Sequence, residues 1–470
     1  MALAAFLTIS FTACLNDDDE KYADYDDTAV TAFVLQQMNA FVHTTNSQGE
    51  DSVFKAYVDG TKVPIYIDQL NNKIYNVDSL PASTDIEHVL VALSTKNNCY
   101  AMWRSLTEDR LLYHSSEDSL DFSVPRELYV FTTSGKYYRK YDVVISKHKQ
   151  EGDLFHWRGL GANPTFAALK GMRAAANEQT LFVAGTDGSN TTLYSSPAND
   201  GKTWQPIVTG LPQQAWQTLV VHQGKPHLAD GGGNLYVVES NDNYASATMQ
   251  TYSTGNVYRL LASDVAHLYG MNADGDLMRT ATADSYQNWT TETLDDDRSL
   301  LPTQHISATH IALRTTDNSG RLVIVGNYND GAFASDSTAS IWSRLTGSAD
   351  LSADNTWMRY TGQHATYSLP RMFNLCTVAY GEDILALGGQ PIAPAKTPAL
   401  KGFFRSIDGG ISWKQDTRIS LPQKMNSSKT VFALTVDANN YIWLFCGESG
   451  EIWRGRLNRM AWTEHQKEFR

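Results

Sequence analysis

The sequence predicts an all-β protein: a strand-built N-terminal domain, then a six-bladed β-propeller, with seven blades as the alternative count. Three observations carry this. An apolar run, a glycine, a turn and a hydrophobic–aromatic pair recur six times after residue 160 and not before it. The pairs are Leu193-Tyr194, Leu235-Tyr236, Leu277-Met278 (a thioether in place of the ring), Ile341-Trp342, Phe403-Phe404 and Ile452-Trp453. Prolines keep the same beat at Pro164, Pro212, Pro302, Pro370 and Pro422, four of them preceded by leucine. A repeat of about 40–50 residues made of short strands is the signature of a propeller. Finally, 23 tyrosines and 11 tryptophans among Thr, Ser, Asn, Asp and Gly suit strands and tight turns better than helices.

Within a repeat, the apolar runs fall in the order of a four-stranded sheet. In the unit opening at Pro164 they are 167–173, 180–184, 192–195 and 203–208. A tryptophan marks the last strand of most units, at Trp204, Trp289, Trp357, Trp413 and Trp462. One strand is left over around Trp157, so either Trp157 or Trp462 completes the final sheet and hides its open edge. Three segments are expanded, 327–339, 346–355 and 390–401, and function is expected there because scaffolds vary their loops first.

Residues 28–150 lack the repeat but alternate in the manner of strands. The clearest pair is 126–131 and 139–145, joined through Thr133-Ser-Gly-Lys136 as a hairpin. An antiparallel sandwich is expected. The chain thus divides into 1–14, an acidic segment 15–27, a sandwich 28–150 and a propeller 151–470.

The first fourteen residues form an apolar segment too short to span a bilayer, closing on small residues before Cys14. Asn16-Asp-Asp-Asp-Glu20 and three further aspartates follow, too acidic to bury a core. The net charge of −13 opposes nucleic acid, which needs a basic face.

Phe11-Thr-Ala-Cys14 resembles the lipobox of bacterial lipoproteins, which implies lipidation of Cys14. The acidic stretch after it resembles the surface-export signal of lipoproteins in glycan-degrading gut commensals. That implies an outer-membrane location facing the exterior, with the lipid anchor as the only membrane contact. Ser406-Ile-Asp408-Gly-Gly410-Ile-Ser-Trp413 resembles the Asp-box of sialidase-like propellers, with degraded copies at 199–204 and 282–289. The 121–141 stretch resembles the last hairpin of Ig-like modules. Over nearly its full length the chain is similar to a lipoprotein family with an Ig-like N-domain and a C-terminal propeller, a resemblance that implies architecture and location only.

No catalytic residues, metal site or cofactor can be assigned. Sialidases grip a carboxylate with three arginines; here Arg173, Arg259, Arg314 and Arg371 occur singly and read as structural. The histidines, His305 and His310 among them, form no ligand spacing, and Asp295-Asp-Asp297 reads as a solvated loop. Cys99, Cys376 and Cys446 are an odd set without metal-ligand spacing; Cys376 and Cys446 read as small buried thiols, a 376–446 disulfide being the alternative. The expected role is binding of a glycan or partner protein at the propeller face or channel; the competing one is a polysaccharide hydrolase or lyase.

Overall fold

The computed structural model describes residues 27–45, 51–313, 318–328, 335–348, 355–360 and 367–462. Cys14, Arg314 and parts of two expanded segments lie outside them. The chain divides into two units, 1–151 with 463–470, and Gly152–Trp462.

The first unit contains a six-stranded sheet, in the order 65–68, 73–76, 138–144, 126–131, 100–104 and 111–113. It also contains two ribbons, 30–35 with 91–95 and 37–45 with 51–59. Phe33, Leu35 and Val91 from one ribbon share a core with Trp103, Leu128 and Tyr141 from the sheet. The predicted hairpin pairs Arg126–Phe131 with Tyr138–Val144. The expectation of purely antiparallel pairing needs correction, because Asp142–Val144 runs parallel to Lys73–Tyr75. Parallel neighbours need a long crossover, and the chain between residues 76 and 138 supplies one.

The second unit is a β-propeller domain that contains, among the described residues, six four-stranded sheets. Their first strands are Gly171–Ala176, Val220–His222, Arg259–Ser263, Gln304–Ala312, Cys376–Tyr380 and Phe432–Val436. The recurring hydrophobic–aromatic pairs all fall on or beside third strands. Second strands are the most apolar, with Thr180–Thr186, Asp383–Leu387 and Ile442–Cys446 buried at every position. A strand covered on both faces has no polar side to show, so its sequence runs apolar instead of alternating.

Six separate cores account for this burial, each lying between two successive sheets. Phe182 and Leu193 meet Leu228 and Val238, and Leu235 and Val237 meet Leu260 and Leu268. Tyr269 meets Ile324 and Trp342, Val323 meets Ile384 and Trp413, and Leu385 meets Phe432 and Leu444. Trp443 and Phe445 then return to Met172 and Leu181 of the first sheet. The order of cores is therefore cyclic.

The last sheet settles which terminus completes it. Phe155–Ala162 pairs antiparallel with Glu451–Leu457, and the Trp157 indole donates to the Ser420 carbonyl at 2.6 Å. Trp462 follows a short 3-10 turn and lies on no strand. The reading of residues 167–173 as one strand is also corrected. Asn163 caps the amides of Thr165 and Phe166, Pro164 occupies the first turn, and Pro164–Ala167 is a helical turn before the strand opens at Gly171.

His227 shows how tightly the sheets are packed. It is 1% exposed on the second strand of its sheet, and its Nδ1 lies 2.9 Å from the Lys225 carbonyl, so that nitrogen carries the proton. Burial pushes its pKa down to about 4. The unfolded chain titrates near 6.5, so it takes up the extra proton first and stability falls as the pH drops from about 6.5 toward 4. Between pH 7 and 5 this is expected to cost about 2 kcal/mol. Urea unfolding at the two pH values should show that loss shrinking in a His227→Phe variant; an equal loss in both would refute it.

Candidate functional site

The six first strands surround a cavity of about 980 Å³. Small side chains keep it open: Ala174, Ala175, Ala262, Ala308 and Ala433 all line it. Hydroxyls furnish part of the wall, with Ser307 and Thr377 at 2.9 Å from each other. Three cationic residues, Lys170, Arg173 and Arg259, also line the cavity, and among the described residues no Asp or Glu does.

The residues at the start of the first strands crowd together. Arg259 Nη1 donates to the Thr303 carbonyl at 3.2 Å and its Nη2 donates to Gln217 Oε1. Arg173 Nη1 donates to the Gln217 carbonyl at 2.6 Å, and its Nη2 to the Leu261 carbonyl at 3.3 Å. Both guanidinium groups are therefore fastened to one residue, and all four acceptors are neutral. Burial brings the pKa of Arg173 down to about 10, with Arg259 adding repulsion. Burial likewise lowers that of Arg259. Aromatic surface stands beside them: Trp216 lines the cavity, and the His305 ring lies 4.7 Å from that of Phe373. His305 is held below the usual imidazole range by burial first and by Arg259 second, so it is neutral at pH 7. His310, also on the wall, is lowered by burial and bonds Thr346 at 2.8 Å.

Other residues singled out in the sequence lie elsewhere. Asp408 accepts from the Ile411 and Ser412 amides and from the Ser406 and Ser412 hydroxyls, and the Gly410 amide donates to Ser406. Burial alone would raise the Asp408 pKa, but these hydrogen bonds outweigh it and hold it low. Gly410 has φ +95°, and a Cβ there would strike Val323. Trp413 donates from its indole to the Gly410 carbonyl and packs in the core between two sheets. None of the four lines the cavity. Asp200 and Trp204 repeat the turn in part, the indole donating to Gly201 at 3.0 Å.

Arg371 does not line the cavity: it is buried, donating to the Asp336 and Tyr328 carbonyls. Asp295 accepts from the Arg359 amide, Asp296 pairs with the Arg359 side chain and Asp297 caps Ser299, so this acidic run is used as turn structure. Cys376 and Cys446 are free thiols, so the alternative disulfide is not formed, and burial pushes both up to about 12. Among the described residues no group of His, Cys, Asp and Glu is placed to hold a metal, and no helix is long and apolar enough to cross a membrane. Sequence reasoning named Arg173 and Arg259 but read them as structural, and it gave Lys170, Trp216 and Gln217 no role. Only position at the opening of a first strand marks these residues, and that is visible once the strands are delimited.

No curated protein matches the chain. Several solved structures are similar to it. PorZ of Porphyromonas gingivalis, titled a bacterial surface component of the type-IX secretion system, is 11% identical with a TM-score of 0.33, covering 87% of this chain and 64% of that one. A Trichoderma reesei carbohydrate-active enzyme of family AA12 is 11% identical with a TM-score of 0.35, covering 65% and 96%. A DUF4784 family protein from Bacteroides caccae is 12% identical with a TM-score of 0.31, covering 77% and 96%. At such scores these likenesses assign no activity. The family models are decisive: one for the DUF6242 N-terminal domain matches residues 33–145 and one for the DUF6242 beta propeller domain matches 151–465, so the chain belongs to the DUF6242 family.

Proposed function

We propose that this protein is a surface-tethered binding lipoprotein whose propeller holds a glycan or partner protein in its central cavity. The six sheets act as six blades, the N-terminal unit is an Ig-like spacer, and the Asp-box turn stabilises a blade periphery. Cys14 carries the lipid that anchors the chain to the outer membrane, facing the exterior, with the acidic 15–27 segment as tether. One observation carries the reading: a cavity of about 980 Å³ bordered by Trp216, Phe373 and His305, with no carboxylate among its lining residues. That volume is of the size that ligand sites take, and aromatic faces supply stacking surface. A glycosidase needs two facing carboxylic acids, which this lining does not offer.

A second reading, a polysaccharide lyase, draws on His305: a neutral imidazole beside Arg259 has the character of a base near a carboxylate-binding group. A glycan array on the full chain, followed by product analysis of every hit, tests both. Binding with no product supports the first reading. Shortened or unsaturated product establishes catalysis and ends it. Retention of fatty-acid label by the wild type and its loss in Cys14→Ala tests the anchor.

A further inference from the structure

We infer that the cavity recognises an anionic glycan unit, one bearing a carboxylate or a sulfate ester, through the paired guanidinium groups of Arg173 and Arg259. The inference rests on the glycan-binding reading and narrows it to a charge class.

Charge is the first argument. The chain carries −13 overall, yet this cavity is lined, among the described residues, by three cations and no anion. Several other arginines have carboxylate partners, whether buried, as Arg344 with Glu292 at 2.7 Å, or part-exposed, as Arg405 with Asp383 at 2.6 Å and Arg359 with Asp296 at 3.0 Å. Arg126 and Arg371 are held by carbonyls, but each is 5% exposed, and Arg456, donating to the Asn439 carbonyl, lies over the Tyr441 ring; none of the three borders the cavity. Arg173 and Arg259 are only half-buried and border open space.

Geometry is the second. A guanidinium has five N–H donors, and each of these two spends two on neutral oxygens. The anchors on Gln217 fix the forks but leave their charge uncompensated, and they hold both within reach of one ligand. Two half-desolvated like charges side by side are costly unless an anion joins them, and the forks match the planar oxygens of a carboxylate or sulfate. The lowered pKa of Arg173 reports the same unmet charge, and at about 10 it leaves the group protonated at neutral pH. A neutral sugar could accept hydrogen bonds from these forks but would leave their charge uncompensated, and a cationic ligand would be repelled.

The test is an array of uronate-bearing, sulfated and neutral oligosaccharides on the full chain, followed by calorimetry with an oligogalacturonate, its carboxyl-reduced form, a heparin-type oligosaccharide and its desulfated form. Expected is binding of a charged probe, at least tenfold weaker for its neutralised form and weakening steeply with salt. Arg259→Gln should lose at least tenfold in affinity with an unchanged melting curve, and Arg259→Lys should fall between it and the wild type. Should Arg259→Gln melt early, Arg173→Met read by the same titration replaces it. The uronate and sulfate arms tell the two oxyanions apart. If neutral and charged forms bind equally, or the arginine variants bind as the wild type does, the anion inference is overturned while glycan binding stands. If no glycan of either kind binds, both fall together.

Discussion

A chain shortened to begin at Asn163 is expected to unfold far more easily than one beginning at Gly152, although the two differ by only the single strand Phe155–Ala162. That strand pairs along Glu451–Leu457 from Phe155–Leu457 to Ala162–Glu451, with one irregularity near Gly159. Phe155 and Trp157 pack against the core between the last two sheets, and the Trp157 indole bonds Ser420. Each lost ladder hydrogen bond contributes about 1 kcal/mol net, and each half-buried aromatic about 1–2 kcal/mol. The sum is on the order of 5 kcal/mol or more, comparable with the whole stability of many domains. Removal also leaves 451–457 as an exposed sheet edge, a template for association. Urea unfolding followed by tryptophan fluorescence, with light scattering for aggregation, provides the comparison. Midpoints that coincide would show that the strand decorates the sheet instead of completing it.

Glu292→Leu should be the most damaging single substitution among the charged residues. Its carboxylate, 4% exposed, accepts from Arg344 at 2.7 Å, Arg279 at 3.1 Å and the Trp357 indole at 2.8 Å. Arg279 and Glu292 belong to the third sheet, Arg344 and Trp357 to the fourth, so one carboxylate joins two neighbours through their buried interface. Arg344 is itself 5% exposed. Taking away the acid removes a carboxylate from that guanidinium in a low-dielectric site, and breaking a buried pair typically costs about 3–5 kcal/mol. Glu292→Gln should cost less, because it keeps an acceptor for the indole. The double variant Glu292→Leu with Arg344→Met should recover part of the loss, since an apolar pair no longer buries a cation that has lost its carboxylate. A double variant no more stable than Glu292→Leu would mean that the damage comes from repacking and not from charge.

Both predictions turn on contacts that the sequence shows unequally. The pairs from Leu193-Tyr194 to Ile452-Trp453 are legible because each third strand repeats one local pattern, and local patterns need no knowledge of partners. The doubly buried second strands are legible for the same reason. The run 167–173 reads as one strand, but Ala167 closes a helical turn that Asn163 and Pro164 open, and the strand begins only at Gly171. Trp462 matched the spacing of Trp413 but lies on no strand, and spacing alone could not separate it from Trp157. The arginines were the hardest. Arg173, Arg259 and Arg371 look alike in the sequence, yet two border the cavity and one is sealed among carbonyls.

Composition, charge and periodicity, each a property of neighbouring residues, determined by themselves that the chain is built of strands, that a module repeats after residue 160 and that the whole is acidic. Only the tertiary structure decided that residues 155–162 finish a sheet begun at 432, and that Arg173 and Arg259 meet at Gln217 in a cavity that no described acid lines. The reason is that such meetings join positions tens to hundreds of residues apart, and their outcome depends on register and on which face of a strand turns inward, where a shift of one residue reverses every side chain.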